Sequence, residues 1–108
     1  MGYQEIIESE YNDKFDKIRK QMIGMSYYKY GPIVDNFKNN QLVDAIGSLK
    51  MRLQKYEETG NTEMLADIAN FAMIEFTYPH HPKGHYQPTD SGYCGIDGMS
   101  IQEIKDFK

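Results

Sequence analysis

The chain has a single cysteine, Cys94, and no tryptophan among its 108 residues. One cysteine cannot close an intramolecular disulfide, so the fold must hold without a covalent staple, and a reducing compartment is expected. Basic residues are also in the minority. Twelve Lys and Arg stand against sixteen Asp and Glu, a net charge of −4. General binding to nucleic acid or to an anionic membrane surface needs a basic excess, so neither is expected, although a local basic pocket is compatible with the balance. No apolar run approaches the roughly 20 residues of a membrane span. The opening MGYQEIIESEY is acidic where a signal peptide is basic and then apolar. These absences point to the cytosol and to no membrane partner.

What is present is helical patterning. From Tyr3 to about Tyr28, apolar residues recur at Ile7, Tyr11, Phe15, Ile18, Met22 and Met25, the stripe of an amphipathic helix. Such a helix would run close to 40 Å, against a radius of gyration of about 13 Å for a 100-residue domain. It is therefore expected to be bent or broken, with Gly24 as the candidate break, or to form an arm that docks on a neighbour. Gly31 and Pro32 stop it, and YYKYGPIVDNFKNN reads as a turn-rich segment. In that segment the tyrosines with Lys29 could stack on a base and touch a phosphate, or cover the edge of a core.

A second helix is expected from about Gln41 to Glu58, ending at Thr59 and Gly60. Asn61 or Thr62 then caps a third, Glu63 to Phe76, which is apolar nearly all round and reads as buried. The short link makes the two an antiparallel hairpin. Glu63, Asp67 and Asn70 interrupt the apolar surface at steps of four and three, so they share one face. A buried carboxylate needs a cation, a metal, a hydrogen-bonding network or a ligand. Counted from the turn, Arg52 and Leu53 fall opposite Asp67, and Ser48 or Leu49 opposite Asn70 or Phe71. Arg52 could thus simply neutralise Asp67, or the two could face a ligand together.

After Phe76 comes a 23-residue stretch, TYPHHPKGHYQPTDSGYCGIDGM, with all three histidines and three of the four prolines. Loops of that length usually serve a function or are disordered, and the aromatic and histidine content argues against plain disorder. Lys83, His85, Tyr86, Thr89, Asp90 and Ser91 gather a cation, an imidazole, a ring, hydroxyls and a carboxylate, groups suited to a base and its phosphates, or to docking on another subunit. Zinc at His81 and His85, or at His80 and His85, with Asp90, Cys94 or Asp97 lacks a strong ligand spacing, and only one cysteine is available. Magnesium held by Glu57, Glu58, Glu63 and Asp67 suits hard-cation chemistry better. Ser100 with Glu103 forms a capping box that opens a short final helix.

The blocks KYGPIVDNF, YEETGNTEMLADIANFAMIEF and HHPKGHYQPTDS, spanning roughly Tyr27 to Gly98, resemble a family of small phage-encoded proteins. The first two also resemble, more distantly, the helical region of phage dATP/dGTP diphosphohydrolases, and Lys29, Tyr30, Gly31, Asp67 and Asn70 are the positions that carry over. In the all-α nucleotide pyrophosphohydrolases of the MazG type, Glu-x-x-Glu on one helix and Glu-x-x-Asp on the next bind magnesium. Here the second helix offers only Glu57 and Glu58 at its end, and Glu63 and Asp67 are four apart. The resemblance therefore implies a cytosolic protein acting inside a bacterial host, which contacts a nucleotide without cleaving it.

The resulting expectation is a single all-α domain over residues 1–108: an antiparallel hairpin, a long first helix, a long irregular loop and a short C-terminal helix. It is expected to assemble as a homo-oligomer and to sequester a nucleotide-derived host immune signal. Ligand contacts are expected at Lys29, Tyr30, Arg52, Asp67, Asn70, Lys83, His85, Tyr86, Thr89, Asp90 and Ser91. No cofactor is expected under that reading. A magnesium-dependent pyrophosphohydrolase using Glu63 and Asp67 is the first alternative, and a protein-binding inhibitor of a host factor the second.

Overall fold

A computed structural model describes residues 2–89, and every regular element among them is helical. Helix α1 covers Tyr3–Glu10, α2 Asp13–Tyr30, α3 Ala45–Thr59 and α4 Glu63–Thr77, with one π-helical turn at Asp35–Asn39 between α2 and α3. The all-α architecture expected from the sequence is thus present. No described helix is long and apolar enough to cross a membrane.

The long N-terminal pattern is broken at Tyr11 and Asn12, and Gly24 stays inside α2. Both residues at the break are extended, and the Asn12 side chain accepts a hydrogen bond from the Phe15 backbone N–H at 3.0 Å. An asparagine that can satisfy the free N–H groups of a new helix outcompetes helix continuation at that point, whereas one glycine within a helix costs only about 1 kcal/mol. The Tyr11 hydroxyl then donates to Asp16 Oδ2 at 2.6 Å, and Asp16 also pairs with Arg19. Arg19 in turn stacks over the Phe15 ring. At the other end, Gly31 adopts φ +82° as its N–H donates to the Tyr27 carbonyl, and Pro32 prevents any continuation.

Helix α3 begins at Ala45, later than the apolar spacing implies. The Asn36 carbonyl accepts from the N–H groups of both Leu42 and Val43, and Asn36 Nδ2 donates to the Tyr30 carbonyl, so one residue stitches the turn to both sides. Asp44 then caps α3 by accepting from Ile46 N–H at 3.1 Å. The link to α4 is equally specified. Gly60 is left-handed at φ +70° and donates to the Tyr56 carbonyl, and Asn61 Oδ1 accepts from Glu63 N–H.

The hairpin α3–α4 is the principal packing unit, and α2 covers part of α4. Only one strip of α4 is buried, Ala66, Asn70 and Ile74 at successive turns, whereas Phe76 remains 71% exposed. The expectation of a helix buried all round is therefore corrected. Two neighbouring helices can cover only the faces they touch, so Met64, Leu65, Ile68, Ala69 and Phe71 are half-buried and Ala72, Met73 and Phe76 are exposed. Ala45 is the one further apolar residue buried among those described. The C-terminal helix, its capping box at Ser100 and Glu103, and Cys94 lie outside the described residues.

Candidate functional site

A cavity of about 580 Å³ opens where α2, the π turn and the α3–α4 hairpin meet. Its walls are mostly apolar, with Met22 and Ile23 from α2, Phe37 from the π turn, and Phe71 and Ile74 from α4. The rings of Phe37 and Phe71 pack on each other at a tilt, with centroids 6.4 Å apart, and both border the space. Polar groups interrupt the walls at Tyr30, Asn36, Ser48, Arg52, Asp67 and Asn70. The volume and this mixture of apolar lining with a few convergent polar groups are those of a small-molecule pocket.

Arg52 and Asp67 face each other across the hairpin, with Arg52 Nε donating to Asp67 Oδ2 at 3.0 Å. The register inferred from the turn is correct. The pair is not sealed in a dry core, because its side chains keep 39% and 24% of their exposure. An ion pair so open to water contributes at most about 1 kcal/mol. Among the described residues this is the only hydrogen bond either side chain makes, and Asp67 Oδ1 and the two Nη groups of Arg52 have no partner there.

Asn70 has a structural duty as well. It is buried, and its Nδ2 donates to the Arg19 carbonyl at 3.1 Å, tying α4 to the middle of α2. That bond occupies one donor of the amide and leaves the side chain within the cavity wall. Ser48, placed opposite Asn70 by the same register, also lines the space.

Of the expected contact residues, Tyr30, Arg52, Asp67 and Asn70 thus come together. Lys29 is exposed next to Tyr30 and is not part of the wall. The loop residues form a separate local arrangement beyond α4. Lys83 N–H donates to His81 Nδ1, His85 Nδ1 lies 2.7 Å from the Lys83 carbonyl oxygen, and Tyr86 packs edge-on against Phe76 at 6.0 Å. Thr89 is exposed, and none of Lys83, His85, Tyr86 and Thr89 lines the cavity. Asp90 and Ser91 lie outside the described residues.

Of the four carboxylates considered for magnesium, Glu63 and Asp67 open in different directions, and Glu57 and Glu58 line neither cavity. Asp67 lines the large cavity, and Glu63 lines a second cleft of about 440 Å³ between the starts of α2 and α4. Among the described residues no group of three or more His, Cys, Asp or Glu side chains is close enough to hold a metal ion.

Sequence reading did not single out Asn36 as a wall residue, although it lies in the turn-rich segment YYKYGPIVDNFKNN that also carries Tyr30. It also missed the Tyr11, Asp16 and Arg19 cluster, which depends on the break after α1. Neither a family model, nor a curated protein, nor a solved structure matches this chain.

Proposed function

We propose that the chain is a binding protein that holds a phosphorylated nucleotide in the cavity between α2 and the α3–α4 hairpin, without cleaving it. The observation that carries this reading is the convergence of Tyr30, Arg52, Asp67 and Asn70 on one mostly apolar space of about 580 Å³. Each wall has a matching ligand chemistry. The Phe37 and Phe71 rings suit a nucleobase, the guanidinium of Arg52 suits a phosphate oxygen, and the Asp67 and Asn70 side chains suit the donor and acceptor edge of a base.

The charge balance narrows the ligand. Arg52 and Asp67 are the charged residues of the wall, and they cancel. A ligand presenting one phosphate charge to this space can share Arg52 with Asp67, whereas a triphosphate would meet too little positive charge. The biological role that accompanies this reading is the one implied by the phage resemblance. A phage protein in the host cytosol, assembled as a homo-oligomer, would sequester a host immune signalling nucleotide such as a cyclic oligonucleotide or a cyclic ADP-ribose derivative.

Titration calorimetry with nucleoside monophosphates, dNTPs, cyclic dinucleotides and cyclic ADP-ribose isomers tests the reading. Binding is expected for a ligand of low charge, with affinity reduced about tenfold or more in Arg52→Ala. No binding by any of the panel overturns it. Pyrophosphate release from dNTPs with magnesium, abolished by Asp67→Ala, would favour the pyrophosphohydrolase instead.

A further inference from the structure

Charge in the large cavity is confined to one place. Its wall draws on α2, the π turn, α3 and α4, and Arg52 and Asp67 are its charged residues among those described. The neighbouring cations along the chain are engaged elsewhere or stand off the wall. Arg19, whose carbonyl accepts from Asn70, pairs through its guanidinium with Asp16. Lys38 lies over the Tyr78 ring, and Lys29 is exposed beside Tyr30 outside the wall. Among the described residues, a phosphate in this space therefore meets the one guanidinium of Arg52, which already donates through Nε to Asp67 Oδ2 at 3.0 Å.

The two Nη groups are the donors that remain for a ligand. A phosphate oxygen bound to them sits close to the Asp67 carboxylate, because the two side chains are hydrogen-bonded to each other. Each unit of phosphate charge is then attracted by Arg52 and repelled by Asp67 at similar range. Both terms grow in proportion to the charge and largely cancel, whereas the cost of withdrawing an ion from water grows with the square of its charge. A phosphodiester brings one unit. A terminal phosphomonoester brings about 1.5 to 2 near neutral pH, its second proton leaving at about pH 6. In a mostly apolar wall the second unit raises the desolvation cost and finds no second cation to offset it.

We propose that the cavity selects a phosphodiester over a terminal phosphomonoester, and that Asp67 sets this preference by cancelling the charge of Arg52. The inference rests on the nucleotide reading and narrows its ligand to a nucleotide whose phosphate is esterified on both sides, in a ring or in an internucleotide link. Asp67 is thereby a specificity-determining residue as well as half of an ion pair. Both side chains are partly exposed, so the discrimination is largest at low ionic strength, where screening is weak.

Titration calorimetry of the full chain at low ionic strength tests it, with adenosine and guanosine series of matched base. Each series comprises the 3′,5′-cyclic monophosphate, the linear dinucleoside monophosphate and the 5′-monophosphate, so a ring ester is told from an internucleotide one. At about pH 7.5 a diester is expected to bind about tenfold or more tighter than the monoester. Lowering the pH to about 5.5 strips the monoester of its second charge, and its affinity is expected to rise toward that of the diester measured at the same pH. No histidine lines the cavity. In Asp67→Asn, whose amide oxygen can still accept from Arg52, the monoester is expected to gain about tenfold and the preference to disappear. Loss of a purely structural contact would instead weaken both ligand classes together. Binding of neither class overturns the nucleotide reading and this inference with it. A wild type that takes the 5′-monophosphates as tightly as the diesters at about pH 7.5, or a preference untouched by Asp67→Asn, overturns this inference alone.

Discussion

Asp16 sits between a phenol and a guanidinium at the point where α1 leaves α2. The hydrogen bond from Tyr11 is the larger cause, and the one from Arg19 the next, by which its carboxyl is held below the usual carboxylate range. The same bond raises Tyr11 above the usual phenol value, and Asp16 raises Arg19 in return. The sign of the pH effect follows from linkage. A carboxyl with a lowered folded value stabilises the hinge above the ordinary aspartate value of about 3.9, and that contribution disappears as pH falls through the folded value. Carboxyl carbon NMR should therefore show Asp16 titrating lower than free aspartate. Tyr11→Phe should move it back up, and an unchanged titration in that variant would remove Tyr11 as the cause.

The α3–α4 hairpin depends on one backbone position more than on any side chain. Gly60 at φ +70° closes α3, and its added Cβ would meet no neighbour within 4 Å, so the cost of a side chain there is purely conformational. Gly60→Ala is expected to lower stability by about 1 kcal/mol, measured by urea unfolding. A variant as stable as wild type would mean that the turn relaxes to a right-handed form. This element was largely legible in the sequence. Gly60, Asn61 and the helical spacing of Leu49, Leu53 and Tyr56 marked the turn and the register, and the register placed Arg52 against Asp67. The N-terminal break was less legible because two signals competed. Gly24 is a weak helix former, but Asn12 offers a side-chain acceptor, and the cap decided the outcome. Burial of α4 was overread for a different reason: composition shows which positions are apolar, whereas the number of neighbouring helices decides which are covered. Four of the eleven expected contact residues, Tyr30, Arg52, Asp67 and Asn70, meet at one cavity because their positions follow from helix ends and helix faces. The loop at Lys83, His85 and Tyr86 went elsewhere, as irregular backbone carries no periodicity from which a direction could be read.

At the scale of the whole molecule, two kinds of joint hold the described residues together, and they span very different lengths of chain. Arg52 and Asp67 are 15 residues apart, whereas Asn70 reaches across 51 residues to the Arg19 carbonyl. Closing the longer loop costs more entropy and returns little until the shorter one is in place. The order of assembly is therefore set by chain length: the hairpin zips up as a local unit, and α2 arrives afterwards onto a surface already made. Stopped-flow refolding should accordingly show Asn70→Ala accelerating unfolding with little effect on the folding rate, while Gly60→Ala slows folding. The reverse pattern would place the docking of α2 in the rate-limiting step. Because the large cavity is walled by α2 on one side and the hairpin on the other, it is the last feature to be completed, and a nucleotide held there, as proposed, would act chiefly as a brake on the departure of α2.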